Sequence, residues 1–218
     1  MKKTRCWFTV TLTNAVIAMC AGSTIASPDL ADLCAVDHLS PYPVLEPVVI
    51  GLPVKFDCEW APNPVISLDA QSKYDQDDPN KAELDKAAEK AFEAEVADLR
   101  TFQRLLVKAA NTSVRSPEKA QSALDCATRH LLTWVRADAL SDMQSHTANQ
   151  HRSTYLASFV LAWLQIRDRV PYKAHHDEIE TWFRDRANET ITYFEAREGK
   201  TSSLNNHRYW AGLAVAAS

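Results

Sequence analysis

Residues 83–106 read ELDKAAEKAFEAEVADLRTFQRLL. Leu84, Ala88, Ala91, Phe92, Val96, Leu99, Phe102 and Leu106 recur at spacings of three and four. That is one apolar stripe on an amphipathic helix, with the charged residues on the other side. Asp78-Pro79 offers an N-cap followed by a proline at the first helical position, so the helix is expected over roughly residues 79 to 110. The charges between residues 81 and 98 are its solvated face.

The pattern repeats downstream. Ser116-Pro117-Glu118 is a second start signal. Ala120, Leu124, Ala127, Leu131, Trp134 and Val135 form the next stripe, ending near Leu140. A third helix is expected from about 148 to 168 on Tyr155, Leu156, Phe159, Val160, Trp163 and Leu164. A fourth runs from about 174 to 197 on Ile179, Trp182, Phe183, Ile191 and Phe194, with Gly199 as its terminating glycine. A fifth begins near Ser203. Helices joined by short loops predict an all-α fold of antiparallel hairpins. The scarcity of glycine, 4 in 218 residues, and a hydrophobic content of 46% agree with that class.

Upstream of residue 79 the character differs. Lys2, Lys3 and Arg5 precede a mostly apolar run to Ile25, and Thr24-Ile25-Ala26 supplies small residues before a cleavage point. Residues 1–27 read as a secretory signal peptide. Thr9, Thr11, Thr13 and Asn14 make the run too polar for a good membrane anchor. Residues 28–78 carry seven prolines and are expected to form an irregular arm over the helical domain of residues 79–218. Losing the signal removes three of 24 basic residues and none of 28 acidic ones. The formal charge then moves from −4 to −7. That balance argues against nucleic-acid binding and leaves a local basic cleft possible. Cys34, Cys58 and Cys126 remain after cleavage; two of them can pair in an oxidising compartment, and spacing does not say which.

One stretch concentrates polar chemistry. LNNHRYW, Leu204 to Trp210, sets two carboxamides, an imidazole, a guanidinium, a phenol and an indole side by side. The plain reading is a polar helix start with Tyr209 and Trp210 packed inward. The functional one is a site that binds a carboxylate and moves a proton. His175-His176-Asp177-Glu178 suggests a metal site, but adjacent helical histidines diverge by about 100° and the spacing of zinc-binding helices is absent. No metal site is expected.

NNHRYW resembles the NNHxYW segment of the alginate lyases of polysaccharide lyase family 5. Four other segments are similar to parts of that family, in the same order: SKYDQDD (72–78), LDCATRHLLTWVRADAL (124–140), SHT (145–147) and EIETWFRDRA (178–187). The similarity covers roughly residues 55 to 218. It implies an α/α toroid of helical hairpins, periplasmic, monomeric and free of the membrane once the signal is cleaved. It also implies β-elimination on alginate, an anionic polysaccharide, without metal or organic cofactor. Asn206 and His207 would be catalytic, neutralising the substrate carboxylate, with His207 a candidate base. Lys73 and Tyr74 would close over substrate from a lid, and His146 and Thr147 would line subsites. Cys58 and Cys126 fall where the family has a disulfide, which leaves Cys34 free. The family carries a further Arg and Tyr well beyond the Asn-His pair, and this sequence reaches Ser218 without them. An incomplete toroid, impaired lyase activity and an unpartnered apolar face on the last helix, with Leu213, Val215 and Ala216, are the expectations. A non-catalytic polyuronate-binding protein is the alternative, and a helical module that binds protein is a third.

Overall fold

The computed structural model describes residues 52–199 and 206–218. The expected signal peptide, the first half of the expected arm, Cys34 and the expected start of the fifth helix near Ser203 lie outside them. Among the described residues six helices carry the fold: α1 (Lys86–Glu95), α2 (Ala97–Arg115), α3 (Ala120–Arg136), α4 (His146–Ile166), α5 (Lys173–Glu195) and α6 (Asn206–Ala217). A 3-10 turn at Pro117–Lys119 leads into α3, as the Ser-Pro-Glu signal implied.

The helices form two rows. α2, α4 and α6 pack side by side, and α3 and α5 pack on each other behind them. His207 near the start of α6 lies 5.9 Å from His151 near the start of α4, and Arg100 near the start of α2 acts on the same ring, so these three helices run the same way. Their first turns therefore lie at one end of the row.

The first expected helix is corrected in three ways. It starts at Lys86, where the Asp85 carboxylate accepts the N–H groups of Ala87 and Ala88 at 2.7 and 3.0 Å. Asp78 does accept backbone N–H groups, from Asn80, Ala82 and Glu83, but it caps a turn rather than a helix. Lys81 sits there at φ 50°, which no α-helix continues through. Leu84 then leaves the stripe to form a bridge with Tyr74 and stays 47% exposed. Second, the helix is interrupted at Val96, with φ −96° and ψ 3°. Val96 is fully buried, so the apolar stripe continues through the break while the axis does not. Third, α2 continues to Arg115. Smaller shifts follow at α5, which ends at Glu195. A turn then reaches Gly199, whose φ of 81° suits glycine. Ile191, expected inside, is at the surface.

The core is a column of rings. Phe102 of α2 stacks on Trp134 of α3 at 3.8 Å between centroids, and Phe159 of α4 meets Phe102 edge-on at 4.9 Å. Trp134 and Trp182 donate their indole N–H groups to the carbonyls of Pro62 and Ala139, so neither burial leaves a polar atom unpaired. Arg152 of α4 and Arg186 of α5 are buried and share Glu189 at 2.7 Å each. Breaking one partner of such a group would strand the others in low dielectric.

The described part of the arm is held at several places. Val54 N–H donates to Glu118, and Phe56 N–H donates to Ser122 Oγ. Cys58 is bonded to Cys126 in the middle of α3, the pairing the resemblance implied. β1 (Ser67–Leu68) pairs in parallel with β2 (Asp142–Met143), Ser67 opposite Asp142. This last pairing brings residues 69–74 to the start of α4.

Candidate active site

The first turns of α2, α4 and α6 each contribute a chemical group. Arg100 comes from α2, His146, Gln150 and His151 from α4, and His207 from α6. Ser145 caps α4 by accepting the N–H of Ala148 and donates to the Ala70 carbonyl. That bond fixes the arm against the helix start just before Ser72-Lys73-Tyr74. Helix N-termini present free N–H groups and positive potential, which suits an anion.

His151 is the hub. Its ring lies 4.7 Å from Phe92, 5.9 Å from His207 and 6.4 Å from Tyr155. Lys73 places its ammonium 5.8 Å from both the Phe92 and Tyr74 rings. Burial, with help from His207, Lys73 and Arg100, holds His151 at about 4. Burial and His146 lower His207; burial and Arg197 lower His146. The three imidazoles are therefore disposed to be neutral near pH 7, able to accept a proton. Burial raises the pKa of the Tyr155 hydroxyl against the pull of Arg100.

His146 faces two partners. Gln150 Nε2 lies 3.0 Å from His146 Nε2, and Tyr193 Oη bonds Nδ1. The Arg197 guanidinium covers the Tyr193 ring at 4.8 Å. Neutral bases, fixed cations and a phenol thus gather beside the start of α4. This arrangement can hold a carboxylate, remove a proton beside it and return one to a leaving oxygen.

Of the residues singled out in the sequence, Lys73, His146 and His207 join this cluster. Tyr74 is 39% exposed beside Lys73, Thr147 is half-buried in the first turn of α4, and Asn206 is exposed at the start of α6. The inward packing considered for Tyr209 and Trp210 is overturned. They are 82% and 41% exposed, and α6 packs through Ala211 and Ala214 instead. Small residues let that helix approach α4 and α5 closely on this side. Leu213 and Ala216 do remain at the surface. His175 and His176 point to different neighbours, Tyr172 and Trp163. Sequence reasoning missed His151, Gln150, Tyr193, Arg197 and Arg100. The spacing His146–Gln150, His151–Tyr155 and Tyr193–Arg197, four residues in each case, was the available signal.

The chain is similar to known proteins. Residues 69–218 match the family model described as alginate lyase. An alginate lyase of Pseudomonas entomophila (strain L48) is 37% identical over 169 residues, covering 74% of this chain and 45% of that protein. One from Pseudomonas putida (strain W619) is 36% identical over the same coverage. The crystal structure of alginate lyase A1-III from Sphingomonas species A1 superposes with a TM-score of 0.60 at 22% identity, covering 76% of this chain and 46% of that one. The fold is accordingly that of an all-α toroid of helical hairpins. The chain spans less than half the length of the curated relatives it matches. On the family match and these identities, the chain belongs to the alginate lyase family.

Proposed function

We propose that this protein binds an alginate-type polyuronate and cleaves it by β-elimination. The observation that carries the reading is the meeting of Lys73, Arg100 and Arg197 with three imidazoles of lowered pKa at the first turns of α2, α4 and α6. A proton beside a carboxylate is too weakly acidic to leave unaided. Neutralising the carboxylate stabilises the enolate-like intermediate that forms as it goes. Asn206 and His207 take that role, with His207 as base toward the C5 proton. Lys73 and Tyr74 close over the chain from the arm, and His146 and Thr147 contact neighbouring sugars. A signal peptide and a periplasmic location fit a polymer substrate that is met outside the cytoplasm.

The test is to incubate the purified protein with polymannuronate and with a neutral mannan, following the ultraviolet absorbance of 4,5-unsaturated uronate ends. Absorbance should rise with polymannuronate alone. Binding of polymannuronate without any rise would support the alternative, a polyuronate-binding protein that does not cleave. No binding to either polymer would refute both.

A further inference from the structure

The two sulfurs of the disulfide differ in access. Cys126 is buried, 1% exposed, while Cys58 is half-buried and lines a cavity of about 360 Å³ with Lys55, Phe56, Asp57 and Arg129. Arg129 Nη2 donates to Cys58 Sγ at 2.7 Å. Asp57 is the one carboxylate in that lining, against Lys55 and Arg129. Glu59, next to Cys58, is held by Lys108 at 2.8 Å and Arg104 at 3.5 Å. The charge around the opening is therefore positive on balance. On the other side, buried His130 sets Nε2 3.5 Å from Cys126 Sγ and 3.9 Å from Cys58 Sγ. Burial and Arg129 keep its pKa low, so the ring is neutral near pH 7. A disulfide sulfur has no hydrogen to give and accepts poorly. A Cys126 thiol or thiolate in the same place would be a good partner for either tautomer of that ring.

We propose that Cys58 is a site of thiol–disulfide exchange, taking up a small thiol that carries carboxylates as a mixed disulfide. The incoming thiol loses its proton to water, and its thiolate attacks Cys58 Sγ. The new S–S bond forms there, the Cys58–Cys126 bond breaks, and its electron pair leaves on Cys126. Cys126 takes a proton from water and is left as a thiol beside His130. One disulfide replaces another, so no further oxidant or reductant enters. Lys55 and Arg129 draw the carboxylates into the cavity and hold them after the exchange. The cavity volume is in the range of small-ligand sites. The arm keeps its bonds at Val54 and Phe56 and its strand pairing, so exchange at Cys58 unclamps it from α3 without releasing it. Nothing in this step draws on the lyase reading.

The experiment mixes the purified protein with excess glutathione, an anionic thiol, or cysteamine, a cationic one, and quenches samples with acid at intervals. Loss of the Cys58–Cys126 bond gives the rate, and peptide mass mapping of early samples locates the adduct. Each rate is divided by that of the same thiol on a small neutral disulfide. Glutathione should then lead cysteamine by about tenfold, with its adduct on Cys58. That lead should shrink to about twofold in the double variant Lys55→Gln/Arg129→Gln, with melting curves on the same samples. Raised salt should shrink it equally in the unaltered protein, so the test stands even where the variant folds poorly. Equal normalised rates, an adduct chiefly on Cys126, or a lead that survives both salt and the double variant overturns the assignment. So does a disulfide that either thiol opens only in urea.

Discussion

Helix α4 carries two regions of opposite character. At one end Phe159 locks against Phe102 and Trp134 in a dry column of rings, close to the helix pair that the Cys58–Cys126 bond clamps to the arm. At the other end His146, Gln150 and His151 bring polar groups toward Lys73, Tyr193 and His207. The two ends are joined by a ladder on one helix face, His151 to Tyr155 to Phe159, with centroids 6.4 and 6.3 Å apart. Along that ladder each ring is more apolar than the one before. The aromatic end supplies stability by burial and the imidazole end forgoes it. Three neutral histidines and several cations held together cost folding energy, and they are held because α2 and α4 are anchored two turns away.

That division can be broken from either side. Trp134→Ala should have the largest effect, a loss of up to about 5 kcal/mol in a urea titration, from the cavity left beside Phe102. Polymer cleavage per folded molecule should be unchanged. Reducing the disulfide, which spans 68 residues, should cost about 4 kcal/mol by the loop-closure argument, read as a lower urea midpoint. It should also weaken polymer binding, since the arm carries Lys73. A smaller effect belongs to the imidazole end. His151 titrates at about 4 in the fold and near 6.5 when unfolded, so the unfolded chain binds more protons between those values. Stability is full above pH 6.5 and falls as the pH drops toward 4. His151→Gln should flatten that slope when melting temperatures at pH 7 and pH 5 are compared. Asp85→Ala should cost only about 1 kcal/mol by uncapping α1, with the melting temperature as readout.

The aromatic end was legible in the sequence and the imidazole end only in part. Helical spacing placed Phe102, Trp134 and Phe159 inside because an apolar stripe is a local property of one segment. The break at Val96 was hidden, since a stripe reports which side is buried and not whether the axis bends. Asp78 misled for a related reason: a carboxylate caps a turn and a helix with the same bonds, and the φ of Lys81 decided between them. His146 and His207 were found through resemblance. His151 and Tyr193 were not, because their chemistry comes from neighbours that the sequence leaves far apart, 56 residues in the case of His151 and His207. A histidine inside a helical stripe looks like any other half-buried residue until the opposing helix is in place.

The most direct test of the account is the initial rate of unsaturated-uronate formation from polymannuronate by the unaltered protein and by His207→Ala, with melting curves taken on the same samples. The account predicts a measurable rate that falls by on the order of 10²–10⁴ in the variant at matched melting temperature. Equal rates in the two proteins, or no unsaturated product from the unaltered one, would contradict it.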